Sequence, residues 1–161
     1  MMHRKVAAWP VVLVTLLFAF VLTAVPLPEW GEPWRPAWVP MVLGYWCMAI
    51  PARIGIVTAW CSGILLDVLT GALFGQHALG LSLIAFVFVT YHKRLRVFSL
   101  VQQALVIGTL LVAYMLLMTA IDHVAGIPWN FPALLGVLTS MLLWPWVFVI
   151  LRDIRRRWRI A

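Results

Sequence analysis

The chain has 161 residues, of which 65% are hydrophobic and 11% are charged, and its mean hydropathy is +1.02. Soluble domains have about a quarter of their residues charged, so this composition excludes an ordinary soluble protein and predicts an integral membrane protein. In a soluble protein, the net charge of +7 would suggest a nucleic-acid partner. Here the basic residues lie at the ends of apolar segments, where anionic lipid headgroups and the positive-inside rule explain them. We therefore expect no nucleic-acid partner.

Six apolar segments follow one another along the chain and predict an all-α integral membrane protein, a bundle of six transmembrane helices. The first segment follows Arg4 and Lys5 and is too long for the apolar region of a signal peptide, about 7–15 residues, so we interpret it as a retained helix. The second is interrupted by Pro40 and is short for a straight crossing. Within one transmembrane domain, 1–161, the predicted spans are approximately 6–25, 38–51, 54–70, 77–91, 100–121 and 131–151.

Four separate basic clusters fall on the same side of this six-span topology. They are Arg4 with Lys5, then Arg53, then the loop 92–96, and finally the arginine-rich segment 152–159. Cytoplasmic loops of membrane proteins carry an excess of lysine and arginine. The pattern therefore predicts a multi-pass protein with both termini in the cytoplasm.

Small residues recur at every fourth position of the third segment, with one acid among them. This small-residue ridge consists of Gly55, Ala59, Gly63, Asp67 and Gly71, and Gly75 continues the row into the predicted loop after the helix. Positions four apart share one face of a helix, and small side chains there allow a second backbone to approach closely. We expect the helix to end near residues 70 and 71, because the row drifts around the helix with each step.

Asp67 is the ionisable member of the ridge. A carboxylate deep in hydrocarbon costs about 2.5–3.5 kcal/mol, so Asp67 should face a partner or a polar cavity and not lipid. We predict that the ridge, together with Arg53 at the inner turn, binds the transmembrane helix of a partner protein. A structural hydrogen bond between Asp67 and a neighbouring helix is the alternative.

Motifs for catalysis or metal binding do not occur in the sequence. It has no HExxH, no GxSxG and no phosphate-binding glycine loop, and its four histidines are scattered. Cys47 and Cys61 both lie in apolar segments without metal-binding spacing. We therefore expect no catalytic residue, no metal site and no cofactor.

Several strings together indicate a family. They are Arg35-Pro-Ala-Trp-Val, Tyr45-Trp46, Pro51-Ala-Arg-Ile-Gly55, Gly63-Ile-Leu-Leu-Asp67-Val-Leu-Thr-Gly71, Gln102-Gln103-Ala104 and Leu143-Trp-Pro-Trp-Val147. In these strings, and in its length and six-helix layout, the chain resembles the proteobacterial MreD family of rod shape-determining membrane proteins. The resemblance covers essentially the whole chain and is most specific at Asp67-x-x-x-Gly71.

The resemblance implies a non-enzymatic scaffold in the bacterial inner membrane that helps to maintain rod shape. It implies a place in the cell-elongation complex, with MreC, the actin-like MreB filament, and the RodA glycosyltransferase with its penicillin-binding transpeptidase as partners. It also implies a fold like that of the S components of energy-coupling-factor vitamin transporters. That second analogy concerns the fold alone.

A small-solute binding component of a transporter is the alternative function. In that case Asp67 or His77 would contact a vitamin-like ligand in a cavity. A solute site gathers several polar groups on facing helices, and the predicted spans supply few of them. The sequence therefore favours the scaffold.

Overall fold

The computed structural model describes residues 8–129 and 131–160. In this part of the chain all regular secondary structure is helical, as the composition predicts, and two single turns of 3-10 helix, at 32–34 and 131–133, accompany six α-helices. The α-helices are α1 (Ala8–Ala24), α2 (Trp38–Ala49), α3 (Ile56–Thr70), α4 (Gln76–Val97), α5 (Leu100–Val124) and α6 (Leu134–Arg157). Three helical segments, α4, α5 and 131–157, are long and apolar enough to cross a membrane.

Helix α2 forms the centre of the bundle and packs against α1, α4 and α6. Eleven of its 12 residues are buried. Its length is about 18 Å at 1.5 Å per residue, well short of a bilayer core of about 30 Å. Pro40 lies in the first turn, where no intrahelical hydrogen bond needs its missing N–H group. Because neighbouring helices surround it, α2 has little contact with lipid.

Aromatic side chains join the helices around α2. Trp46 and Trp144 are fully buried, and the Trp46 Nε1 group donates a hydrogen bond of 2.9 Å to the Thr15 hydroxyl on α1. The ring centroid of Trp144 lies 6.1 Å from that of Phe88 on α4. Trp146, two residues after Trp144, is 71% exposed, since positions two apart point to nearly opposite sides of a helix.

The two ends of the bundle carry opposite charge. Nine of the ten lysines and arginines in the described residues lie at one end, where α2, α4 and α6 finish and α3 and α5 begin. We call this the basic end. The opposite, acidic end carries Arg35 and four of the five acids, namely Glu29, Glu32, Asp67 and Asp122.

Side chains satisfy the free backbone groups at several helix ends. The Arg35 guanidinium donates to the carbonyl oxygens of Thr23 and Val25 at the end of α1, and Arg96 donates to those of Met48 and Ala49 at the end of α2. The last four carbonyl groups of a helix have no intrahelical partner, and water is scarce inside a membrane. These arginines therefore stabilise helix ends directly.

Arg35 also pairs with an exposed carboxylate in the loop before α2. Its Nη2 lies 2.6 Å from the Glu32 Oε1. The hydrogen bond from Arg35 lowers the pKa of Glu32, because it favours the charged carboxylate. The pair holds the loop against the end of α1.

Candidate functional site

Asp67 lies at the point where α3 and α4 meet at the acidic end. Its side chain is 1% exposed and accepts three hydrogen bonds from the start of α4. The Oδ2 accepts from the Gly75 backbone nitrogen at 2.8 Å. The Oδ1 accepts from the His77 backbone nitrogen at 2.7 Å and from its Nδ1 at 2.8 Å. Both carboxylate oxygens are therefore occupied within the chain.

Two glycines give the turn that brings α4 back over Asp67. Helix α3 ends at Thr70, as predicted, and Gly71 follows with a φ of +69°. Gly75 precedes α4 with a φ of +94°. Both angles lie in the left-handed region that glycine adopts without steric cost. The turn places the free N–H groups of α4 at the carboxylate, which is also favourably placed against the positive end of the helix dipole.

Gly63 allows the two helix backbones to come into contact one turn earlier. A Cβ atom added at this position would lie 2.5 Å from the backbone nitrogen of Ala78 and 2.8 Å from the carbonyl carbon of His77. Ala59, a further turn away, is fully buried. The central part of the small-residue ridge therefore packs on α4 of the same chain.

The structure divides the predicted partner-binding residues into two sets. Ala59, Gly63 and Asp67 are buried, whereas Arg53 and Gly71 are exposed and Gly55 is partly exposed. A partner could reach only the second set without displacing α4. Contact between a partner and the ridge stays a prediction, and it now concerns the two ends of the ridge more than its centre.

Gln76 is a site residue whose role the sequence pattern did not indicate. It is 4% exposed, and its Nε2 donates to the Met118 carbonyl at 3.1 Å and to the Asp122 Oδ1 at 2.8 Å. Its Oε1 accepts from the Leu73 nitrogen at 3.2 Å. Gln76 thereby extends the polar network from α3 and α4 to α5. The sequence does place one polar residue, Gln76, at the start of α4 and another, Asp122, near the end of α5, and these two positions were the available signal for a contact between the helices.

The chemistry of this network is that of a helix cap. Each Asp67 oxygen accepts from donors of its own chain, and the His77 Nδ1 already contacts the Oδ1. Within 8–129 and 131–160, no group of three or more His, Cys, Asp or Glu side chains is placed to hold a metal ion. The arrangement positions α3, α4 and α5 relative to one another.

Comparison with known proteins identifies the family. The sequence profile described as rod shape-determining protein MreD matches residues 3–154. The chain belongs to the MreD family. It is 35% identical to the rod shape-determining protein MreD of Haemophilus influenzae over 160 residues, and this matched region covers 98% of each chain. No solved structure matches the chain significantly, so the likeness to S components stays a prediction.

This family membership confirms the resemblance found in the sequence, and it supports a membrane protein with a role in rod shape determination. It gives no support to the transporter alternative, nor does the acidic-end cavity beside Arg35, Tyr114 and Asp122. That cavity has a volume of about 240 Å³, and neither Asp67 nor His77, the residues expected to contact a solute, belongs to its lining. Arg35 is also bonded to Glu32 and to backbone carbonyls.

Proposed function

We propose that the protein is a non-catalytic scaffold of the cell-elongation complex, in which it docks MreC and links MreB to peptidoglycan synthesis by RodA and its penicillin-binding transpeptidase. The observation that carries this proposal is the family match over nearly the whole chain. The structure is consistent with it, since the buried polar groups around Asp67 hold helices together.

We propose in addition that all six helices cross the bacterial inner membrane, with the basic end in the cytoplasm and both termini there. The charge difference between the two ends supports this orientation, since cytoplasmic loops retain lysine and arginine. Reporter fusions after Arg96 and after Arg159 should give cytoplasmic signals, and a fusion at Glu32 a periplasmic one. A periplasmic signal after Arg159 would contradict the six-span topology.

For the partner surface we propose the exposed side of the ridge helix α3, which begins directly after Arg53 and Gly55 in the chain. There α1 and α3 form an apolar groove of about 440 Å³. Its lining includes Leu13 and Leu17 from α1 and Val57, Cys61 and Leu65 from α3. A transmembrane helix of a partner such as MreC would pack its side chains into this groove.

The test is purification of the full chain from native membranes, followed by mass spectrometry of what accompanies it. The scaffold predicts MreC and other elongation proteins. A co-purified small molecule without these proteins would favour a solute-binding component and contradict the scaffold.

A photo-cross-linking amino acid tests the groove separately. Val57 in the groove is 78% exposed, and Leu142 on α6, outside the groove lining, is 77% exposed, so the two positions form a matched pair. We expect a cross-link to MreC from position 57 and none from position 142. Equal cross-linking at both would show that the groove is not the docking surface.

A further inference from the structure

A second cavity, of about 440 Å³, lies at the basic end of the bundle. The end of α2, the turn between α4 and α5, and the last third of α6 surround it. Its apolar lining includes Met48, Phe98, Leu100 and Phe148. Its polar lining consists of Tyr45, Arg96, Ser99, Gln103, Arg152 and Arg155. The scaffold proposed above makes no use of this cavity.

The charge of the cavity is strongly positive. Three arginines line it, and no carboxylate does so within the described ranges. The nearest acid to Arg152 is Asp153, whose Oδ1 lies 3.9 Å from the Nε, too far for a hydrogen bond. The Arg152 guanidinium carbon instead lies 5.9 Å from the ring centre of Phe148. The cavity therefore attracts an anion.

Two buried polar atoms of the lining have no hydrogen-bond partner. In the part of the chain that the structure describes there are three such side-chain atoms, and two of them, the Tyr45 hydroxyl and the Arg152 Nε, belong to this cavity. Tyr45 is 2% exposed. Buried polar groups in native proteins nearly always have a partner, so an unpaired one calls for a ligand or another explanation.

The Tyr45 hydroxyl, on α2, belongs to the same lining as Arg96, Arg152 and Arg155. Two of the three arginines that line the cavity, Arg152 and Arg155, come from the same turn of α6. Donors from α2 and α6 thus converge on one space.

We propose that this cavity binds the phosphate group of an anionic phospholipid from the adjacent membrane leaflet. Phosphate oxygens accept several hydrogen bonds at once, and arginine binds them in a charge-assisted, often bidentate manner. Arg152 and Arg155 supply the charge, and the Tyr45 hydroxyl donates a further hydrogen bond. The apolar lining contacts the glycerol and first acyl carbons. Basic pockets between transmembrane helices recognise lipid headgroups in this way.

The experiment is native mass spectrometry of the full chain in detergent with three probes: phosphatidylglycerol, phosphatidylcholine and inorganic phosphate. We expect retention of phosphatidylglycerol, at least about tenfold weaker retention of the zwitterionic lipid, and no displacement of phosphatidylglycerol by millimolar phosphate. Displacement by inorganic phosphate would overturn the lipid proposal in favour of a free-anion site.

Paired variants separate this cavity from the general charge of the basic end. Arg152→Gln with Arg155→Gln should weaken phosphatidylglycerol binding by about tenfold or more, because two charge-assisted donors are lost. Arg157→Gln with Arg159→Gln removes the same charge outside the lining and should change binding less than about threefold. Equal loss in both double variants would overturn the proposal.

Tyr45→Phe keeps the experiment decisive if the arginine variants do not fold. It removes only a hydroxyl that lacks a partner in the described structure, so the fold should persist. We expect binding of phosphatidylglycerol to weaken by about threefold to tenfold. Unchanged affinity in this variant would show that the hydroxyl does not contact the lipid and would overturn the site.

Discussion

Replacement of Gly63 by alanine perturbs the closest contact between two helices of the bundle. The new Cβ would lie 2.5 Å from the Ala78 nitrogen, whereas ordinary contacts begin at 3.4 Å. The obstructing atoms belong to the backbone of α4, so no side-chain rotation relieves the overlap. Helix α4 must therefore move away from α3 by about 1 Å.

The expected cost follows from three terms. Overpacking of this kind costs about 1–3 kcal/mol, and the rigid backbone places it at the upper end, while the better helix propensity of alanine offsets about 1 kcal/mol. The same movement would stretch the hydrogen bonds of Asp67, now 2.7–2.8 Å, beyond bonding distance, at a cost of about 1–3 kcal/mol. We expect a net loss of about 3–5 kcal/mol.

Thermal unfolding in detergent, followed by tryptophan fluorescence, measures this loss because Trp46 and Trp144 are fully buried. For a chain of this size the melting temperature should fall by about 6 °C or more. Gly55→Ala is the matched control, since its Cβ would lie 3.9 Å from the nearest atom, the Val89 Cγ2, in an extended backbone. Equal melting temperatures for the two variants would refute the close approach of α3 and α4.

Three further substitutions test the polar network and the core. Asp67→Asn keeps the shape of the side chain, but its NH₂ group accepts no hydrogen bond, so a donor at the start of α4 loses its partner. We expect a loss of about 1–3 kcal/mol in the same thermal unfolding assay, and an unchanged melting temperature would contradict the helix cap. Gln76→Leu breaks the link to Asp122 and should cost about as much, which unfolding of the variant in urea would measure. Trp46→Phe removes the donor to Thr15 and leaves a small void, for an expected loss of about 2 kcal/mol; full stability would show that this hydrogen bond contributes nothing.

The helical architecture was largely accessible from the sequence because it depends on local signals. Apolar runs broken by proline and glycine gave six helices, and the drift of the small-residue ridge gave the end of α3 at Thr70. The depth of α2 was not accessible in this way. An apolar helix that faces lipid and one that faces other helices have the same composition, and only the packing distinguishes them.

The environment of Asp67 could be predicted only in part. The cost of a buried carboxylate indicated that it must have a partner, and both a partner protein and a neighbouring helix were open. The structure shows that the partner of Asp67 is the start of the neighbouring helix, α4, where the backbone nitrogens of residues 75 and 77 donate to the carboxylate. Which of the two partners Asp67 has depends on two glycines in the left-handed backbone conformation, which turn α4 back onto α3. The spacing of small residues does not specify this tertiary arrangement.

Cell shape is the most direct test of the central claim. The host's own copy of this protein is depleted and replaced by an inducible copy with a fluorescent tag, and cell width is measured by microscopy. We expect rods with the intact chain and rounded cells with Gly63→Leu, whose side chain cannot fit against α4. Cells that stay rod-shaped after depletion, with no copy present in the membrane, would contradict a role in rod shape determination.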